Sequence, residues 1–404
     1  MNLKRTFAEI AIIAVIIGIV GYIKQHPEII SGMGELEQFI DMLIAGALIV
    51  VAGYISLRTA VSTAILELAF GSIARIVGVE PTETLAFLAE IGAIMLMFIA
   101  GTEIEFHVFK KRFKESVTIG SAIFFIPLVA VMAFLSNRYG INETSLLASV
   151  ALAATSVAVV YTILYDMLIL YSPLGQVLFG AAIVCDILSI IGLSIVLGKF
   201  SLFSILYIVL LAVLFYAVPR TGKLILALKT AWELELKIII LLLMLLAIVS
   251  SALGIHATLT AFILGILIAE TAKSHKSLEM KIRGLGFGFF IPIFFFYSGV
   301  LVDLTLVATN LPFFAILFII TFLSTFGGAY IASKTCCPIK YAHILTVYNV
   351  KTSITIIAAY EGLRFGIIDP TLYSMITATA LVGAIVVSAI LKIAPSSTLE
   401  DLAL

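Results

Sequence analysis

Residues 174–198 read LGQVLFGAAIVCDILSIIGLSIVLG, an apolar run with a single charged residue, Asp186, near its middle. A helix needs about 20 mostly apolar residues to cross the hydrocarbon core of a bilayer, which is about 30 Å thick. The run is long enough for that. It predicts a membrane-spanning helix that carries one carboxyl group at the depth of the lipid tails.

The composition of the whole chain points to the same environment. Of its 404 residues, 62% are apolar and 12% are charged, with a mean hydropathy of +1.22. Soluble domains have about 45–50% apolar and about 25% charged residues. Because so few polar side chains cannot cover a surface in water, the sequence predicts an all-α polytopic membrane protein. No basic tail or polar domain is long enough to indicate a nucleic-acid partner.

The same length criterion, applied along the chain, gives about fourteen candidate spans. They lie near residues 7–23, 40–56, 59–77, 84–101, 116–136, 144–166, 174–198, 201–218, 236–253, 257–271, 286–302, 311–333, 342–360 and 371–392. The first follows Lys4 and Arg5 and resembles a signal peptide. It lacks a small-residue cleavage site, so we interpret it as a retained helix.

The basic residues predict the orientation in the membrane, because Lys and Arg accumulate in cytoplasmic loops. With fourteen spans and a cytoplasmic N-terminus, most of the 24 Lys and Arg residues fall on the cytoplasmic side. The exceptions on the outer side are Lys24, Arg75, Arg138, Lys199 and Arg364. We expect a plasma-membrane protein of a prokaryote with both termini in the cytoplasm.

Two spans contain polar residues near their middle, one in each half of the chain. They are Thr155-Ser156 within 144–166, and Asn349-Val-Lys351-Thr352-Ser353 within 342–360. Polar interruptions at corresponding positions of two halves indicate a transporter built from inverted repeats. We predict an extra N-terminal helix and loop at 1–39, the first repeat plus a linker helix at 40–218, and a cytoplasmic linker at 219–235. The second repeat would follow at 236–393, and a short cytoplasmic tail at 394–404.

Asp186 is the first candidate for the functional site. An ionisable group near the bilayer centre costs about 2.5–3.5 kcal/mol on insertion scales, so it persists only with a partner or a role. A low dielectric disfavours the charged form of a carboxyl group, so this group can hold either a proton or a cation. The alternative is a structural aspartate that pairs with Lys351 or bonds to a neighbouring helix.

The polar interruptions supply further candidates. Thr155 and Ser156 offer hydroxyl and carbonyl oxygens as co-ligands for a cation, or they pack between helices, as small hydroxyl residues often do in membranes. We expect Lys351 to compensate the negative ends of half-helices, to pair with Asp186, or to form an ion pair with Glu67 or Glu90. Asn349 is a lesser candidate for the same polar centre.

Other function classes fit this sequence less well than transport does. The sequence contains no zinc-binding, nucleophile-elbow, phosphate-loop or dinucleotide-binding motif, so we expect neither an enzyme nor a cofactor. An intramembrane aspartyl protease would need a second midplane aspartate, and a channel fits a single buried carboxylate less well. A sodium-coupled symporter of an organic anion is the nearest alternative, with Lys351 facing the substrate carboxylate.

Three segments resemble motifs of the cation:proton antiporter superfamily, in particular its bacterial and archaeal Na⁺/H⁺ and K⁺/H⁺ branch. They are AFLAEIGAIMLMFIAGTE at 86–103, LGIHATLTAFILGILIAE at 253–270 and PIFFFYSGVLVDL at 292–304. The resemblance runs from about residue 40 to 393. It implies about 13 core spans plus one N-terminal helix, a homodimer, and exchange of Na⁺, Li⁺ or K⁺ for H⁺ by an elevator-like movement of a core domain.

The resemblance also implies that the ion site lies beside Asp186, where the two discontinuous helices cross. This chain departs from the family's pattern at three places. Electrogenic members carry two adjacent acids, but the first is Cys185 here; the lysine often found near Ser324 is missing; and Lys351-Thr352-Ser353 replaces Arg-Gly-Glu. One carboxylate exchanging one cation for one proton predicts electroneutral transport.

Overall fold

The computed structural model describes residues 34–59, 62–76, 78–102, 112–167, 169–170, 172–198, 233–252, 257–274, 276–336 and 342–393. The candidate spans 7–23 and 201–218, nearly all of the linker 219–235 and the tail 394–404 lie outside these residues. Within them the chain is all-helical and contains no strand. Seven of the described helices are long and apolar enough to cross a membrane, although the total number of spans stays a prediction.

The first half of the chain forms seven described helices. They are α1 Gly34–Thr59, α2 Thr63–Ile76, α3 Glu83–Thr102, α4 Phe113–Tyr139, α5 Glu143–Ala153, α6 Val157–Asp166 and α7 Pro173–Leu197. Asn142 caps α5: its side chain accepts from Ser145 N–H (3.0 Å), and Ser145 Oγ accepts from Asn142 N–H (3.2 Å). Ser172 caps α7 in the same way through Gly175 N–H, with Pro173 in the first turn. These bonds satisfy amides that a helix start leaves without partners.

The second half repeats this order. Its helices are α8 Leu234–Ala252, α9 Ala257–Ser274, α10 Lys276–Leu285, α11 Ile291–Val300, α12 Leu304–Thr309, α13 Leu311–Cys336, α14 Ser353–Arg364 and α15 Pro370–Ile393. A π-helical turn, Gly286–Phe290, joins α10 to α11, and a 3₁₀ helix, Ala342–Asn349, precedes α14. The span expected at 286–302 is therefore the end of a longer helical segment that begins at Lys276.

Both predicted interruptions are present. α5 ends at Ala153, because Ala154 has an extended backbone (φ −60°, ψ 153°), and α6 starts again at Val157. The 3₁₀ helix ends at Asn349, and α14 starts at Ser353. Each interrupted helix is followed by a long continuous one, α7 or α15, which is the inverted-repeat arrangement that the sequence predicts.

The described helices pack in two groups. One contains α1, α2, α3, α8, α9 and the α10–α11 segment; the other contains α4 to α7 and α13 to α15. Two glycine contacts bring the first group together. A Cβ at Gly101 would lie 2.2 Å from Phe262 O, and one at Gly299 would lie 2.0 Å from Leu68 O. Small residues allow helices in lipid to approach this closely.

Candidate ion-binding site between the interrupted helices

The last carbonyl groups of α5 are satisfied by side chains from other helices. Thr355 Oγ1 donates to Ala151 O (2.8 Å), Cys185 Sγ to Ala153 O (3.5 Å), and Lys351 Nζ to Ala154 O (2.9 Å). The end of a helix leaves four carbonyl groups without intrahelical partners and carries partial negative charge. Three side-chain donors therefore stabilise the interruption by satisfying its carbonyl groups, and one of them is a buried cation.

Hydroxyl groups connect the two interruptions. Thr352 Oγ1 donates to Ser156 Oγ (2.8 Å), and Ser156 Oγ lies 3.5 Å from Ser353 Oγ. Ser156 and Thr352 are buried, whereas Ser353 is partly accessible. The chain thus brings oxygen atoms from both halves to the point where the interrupted helices meet.

Asp186 lies on α7 beside this meeting point. Its side chain is nearly buried, with 9% of its surface exposed, and it lines a cleft. The cleft passes between the two groups of helices, because its walls come from α3, α9 and the π-helical turn on one side and from α6, α7 and α14 on the other. Ser353 lines the same cleft. A cation entering it would meet a carboxyl oxygen and a hydroxyl oxygen.

The half-helices create a field that suits an anionic Asp186. Val157 and Ser353, the first residues of α6 and α14, both line the cleft with Asp186. Helix N-termini carry partial positive charge, which favours a carboxylate nearby. On the other side of the interruption, the Lys351 ammonium lies against the negative end of α5. Among the described residues, the helix starts therefore favour the Asp186 carboxylate, and the negative end of α5 favours the Lys351 ammonium.

The remaining predicted residues are buried beside the interruptions. Thr155 and Asn349 are 1% and 2% exposed. Within the part of the chain that the structure describes, the Thr155 hydroxyl and both polar atoms of the Asn349 amide have no hydrogen-bond partner. These atoms remain available to a bound water or ion. Cys185 is fully buried and serves as a donor to α5.

Two features of the site are not evident from the sequence. Ser353 and Thr355 contact the first interruption from α14, which only the folded arrangement reveals. Glu90 was considered as a partner of Lys351, but it forms an ion pair with Arg364 (2.8 Å) instead. The signal available in the sequence was the spacing of hydroxyl residues at 352, 353 and 355, which mirrors Thr155-Ser156.

Comparison with known proteins agrees with this arrangement. The family profile described as "Sodium/hydrogen exchanger, transmembrane" matches residues 44–394. The chain belongs to the sodium/hydrogen exchanger family. Among curated exchangers, it is 31% identical over 331 residues to "Probable Na(+)/H(+) antiporter 3" of Methanocaldococcus jannaschii, covering 77% of this chain and 84% of that relative. It is 26% identical over 360 residues to the Na(+)/H(+) antiporter of Enterococcus hirae, covering 85% and 94%.

A solved exchanger structure has the same fold. The sodium proton antiporter MjNhaP1 from Methanocaldococcus jannaschii, solved at pH 8, superposes with a TM-score of 0.68. The match covers 91% of this chain and 98% of that one, at 16% sequence identity. The inverted-repeat antiporter fold is therefore confirmed. Membership of the exchanger family also favours exchange over the organic-anion symport that the sequence left open.

Proposed function

We propose that this protein exchanges a monovalent cation, Na⁺ or alternatively Li⁺ or K⁺, for H⁺, with both ions competing for Asp186. The observation that carries the proposal is the position of this carboxyl group. It lies nearly buried in a cleft, next to the first residues of two half-helices. The names of the two relatives, a probable Na(+)/H(+) antiporter and a Na(+)/H(+) antiporter, support the same choice of ions.

Competition follows from charge. A carboxylate in a cleft of low dielectric gains stability by binding either a proton or a cation, and one negative charge accommodates only one of them at a time. Cation entry therefore displaces the proton, and proton entry displaces the cation. If the site faces one side of the membrane at a time, this competition couples the two gradients.

The oxygen ligands come from both halves of the chain. Thr155 and Ser156 would act from the first interruption, as the sequence predicts, and Ser353 is added because it lines the cleft with Asp186. The Thr155 hydroxyl has no hydrogen-bond partner among the described residues, so an ion or a water would satisfy it. Hard cations take oxygen ligands of this kind. Asn349 supports the same polar centre from the second interruption.

The charges around the site favour electroneutral exchange. Cys185 stands where a second acid would be, and its thiol donates to Ala153 O. Lys351 donates to Ala154 O and compensates the negative end of α5. With one exchangeable carboxyl group, one cation replaces one proton, so the transport cycle moves no net charge.

Alternating access would come from movement of one helix group against the other. The cleft lies between the group that contains α3, α9 and α11 and the group that contains α6, α7 and α14. A sliding, elevator-type movement of the second group would carry Asp186 across the membrane. We place the protein in a prokaryotic plasma membrane as a homodimer with cytoplasmic termini, as the resemblance and the basic residues predict.

Exchange in proteoliposomes tests the site. An inward gradient of Na⁺, Li⁺ or K⁺ is applied in turn, and the internal pH is followed by fluorescence. The parent protein should alkalinise the lumen as H⁺ leaves in exchange for at least one cation, whereas Asp186→Asn should not. Asp303→Asn is the matched control, because Asp303 lies at the start of α12, away from the cleft. Equal exchange by the parent and Asp186→Asn would refute the assignment of the site.

Membrane potential tests the stoichiometry. The same proteoliposomes are held at different potassium diffusion potentials while Na⁺-driven pH changes are measured. Electroneutral exchange predicts initial rates that do not depend on the potential. Rates that scale with the potential, or transport currents on a supported membrane, would show net charge movement and contradict the one-for-one exchange.

A further inference from the structure

One aromatic side chain on the wall of the ion cleft has no role in the proposed site. Phe287 lines the cleft together with Asp186, yet 45% of its surface is exposed. It belongs to the π-helical turn Gly286–Phe290, near the start of the helical segment that ends at Val300. An exposed aromatic ring on the wall of this cleft is in a position to obstruct the approach to the carboxyl group.

Both ends of the π-helical turn pack against α3. A Cβ at Gly286 would lie 2.6 Å from Ile99 Cδ1, and the Phe290 carbonyl oxygen lies 2.3 Å from where a Cβ of Gly92 would be. Ile291 N–H closes the turn by donating to Gly286 O. The Phe290 end is in backbone contact with α3, whereas the Gly286 end meets the tip of the Ile99 side chain, which can adjust.

The residues between these anchors have room to move. A Cβ built at Gly288 meets no atom within 4 Å, and Phe287, Gly288 and Phe289 are all exposed. A π-helical turn contains one residue more per turn than an α-helix accommodates, and such turns often occur at functional sites. The extra residue allows the backbone at 287–289 to rearrange while Gly286 and Phe290 stay in place.

We propose that Phe287 is the gate residue of the cleft, and that its ring controls the passage of the cation to Asp186. The inference rests on the proposed function, since it assumes that a cation uses the cleft. With the ring across the cleft, an apolar surface opposes the entry of a hydrated ion. With the ring turned outward by a rearrangement of the π-helical turn, the ion reaches the carboxyl and hydroxyl oxygens.

Phe289 provides a matched control for the test. It is the same residue type in the same turn, with 46% of its surface exposed, but it does not line the cleft. Its ring contacts Phe290, with centroids 5.1 Å apart. Replacing either phenylalanine by alanine removes a similar exposed surface, so a general effect on folding or on lipid contact would appear in both variants.

The experiment compares Phe287→Ala, Phe289→Ala, Phe287→Trp and Asp186→Asn with the parent in proteoliposomes. We expect Phe287→Ala to lower the apparent KM for the cation on the order of threefold. This would be an effect on access of the ion to the site rather than on its translocation. Phe287→Trp should raise it, and Phe289→Ala should match the parent. Monodisperse elution of each variant in detergent confirms folding.

Tetramethylammonium supplies a second readout, because it is a monovalent cation too bulky for a narrow entrance. It should inhibit exchange by Phe287→Ala and leave the parent and Phe289→Ala unaffected. If the parent exchanges ions and Asp186→Asn does not, but Phe287→Ala behaves like Phe289→Ala in both measurements, the gate is refuted and the proposed function survives. A parent protein without exchange would overturn both.

Discussion

Lys351 is the most buried cation in the described part of the chain, with 1% of its surface exposed. A charge at this depth is stable only with compensation. Its Nζ donates to Ala154 O at 2.9 Å, where the interruption leaves a carbonyl group at the negative end of α5. The helix end therefore stabilises the ammonium, and the ammonium satisfies the carbonyl that the missing turn would have used.

Lys351→Met should destabilise the protein by about 1–3 kcal/mol, because the buried Ala154 carbonyl loses its donor. Unfolding of the detergent-solubilised protein, followed by thermal melting, checks this. Lys334→Met is the control: Lys334 is exposed near the end of α13, 4.8 Å from the Tyr330 ring, and its loss should change stability by less than about 0.5 kcal/mol. Equal losses in the two variants would contradict the structural role of Lys351.

The hydrogen bonds of the Asp303 carboxyl group should make the stability of the protein depend on pH. The hydrogen bond from the Thr305 hydroxyl, with further bonds from Leu306 N–H and Thr305 N–H, holds the pKa of the Asp303 carboxyl below its usual range. A lowered pKa in the folded state means that the carboxylate stabilises the fold above its unfolded pKa, about 3.9. This stabilisation is lost as the pH falls through the lower folded pKa.

Asp303→Asn removes the titration and keeps an effective N-cap for α12. The difference in melting temperature between the parent and Asp303→Asn should therefore be largest near neutral pH and shrink below about pH 4. Melting curves of both proteins between neutral and acidic pH provide the measurement. A difference that stays constant over this range would exclude a contribution from the Asp303 charge.

The charged residues of the site are easier to recognise in the sequence than their partners. Asp186 and Lys351 were found because a charge inside an apolar run is rare. The partner of Lys351 is a backbone carbonyl, which every residue possesses, so no pattern of side chains identifies it. The exposed ring of Phe287 is equally invisible in the sequence, where it is one of 28 phenylalanines.

At the scale of helices, close backbone contacts join α2 to α11 and α3 to α9. Gly71 packs on Gly299 in the first pair, and Gly101 packs on Gly265 in the second. In both pairs a Cβ would lie 2.0–2.2 Å from a backbone oxygen of the other helix, far inside van der Waals contact. Because the oxygen belongs to the backbone, no change of rotamer relieves this clash. Each pair joins a helix of the first half of the chain to a helix of the second half, so these contacts hold the two repeats together.

Gly299→Ala should therefore destabilise the protein by about 1–3 kcal/mol, because its Cβ would lie 2.0 Å from Leu68 O and the helices must separate. Gly327→Ala is the matched control within α13, since a Cβ there meets nothing within 4 Å. This change should be neutral or stabilising by up to about 1 kcal/mol, because alanine favours the helix. Unfolding in mixed detergent micelles compares both variants, and a tolerated Gly299→Ala would show that the contact is loose.

The elements themselves were predictable to different degrees. The interruptions of α5–α6 and of the second repeat were predicted because polar residues at the middle of an apolar span break its pattern. The π-helical turn was not, because GFGFF continues the apolar run of the span. Its geometry depends on the contacts of Gly286 and Phe290 with α3, which are tertiary.

At the scale of the whole molecule, the two helix groups are joined at the end opposite to the cleft. Glu90 on α3 pairs with Arg364 on α14, and Tyr373 Oη donates to Ser298 O (2.6 Å). Asp303 N–H donates to Ser374 Oγ (2.9 Å). Glu90 precedes the part of α3 that lines the cleft, and Ser298 lies at the far end of the helical segment from Phe287. Under the proposed mechanism, this closed end must open when the cleft closes.

The strength of the Glu90–Arg364 ion pair should affect how easily the closed end opens. Arg364 is 43% and Glu90 36% exposed, and partly exposed pairs contribute about 0.2–1 kcal/mol. Because 1.4 kcal/mol corresponds to about tenfold in an equilibrium, Glu90→Gln should shift the balance towards the opposite-facing state by up to about fivefold. Distances between spin labels on α3 and α14 would measure the two populations, and high salt should shift the parent in the same direction.

The exchanged pair, Glu90→Arg with Arg364→Glu, should restore the parental balance, since it keeps the attraction while reversing both charges. If the exchanged pair instead behaves like Glu90→Gln, attraction between these side chains does not hold the closed end, and the bonds of Tyr373 and Ser374 must do so alone.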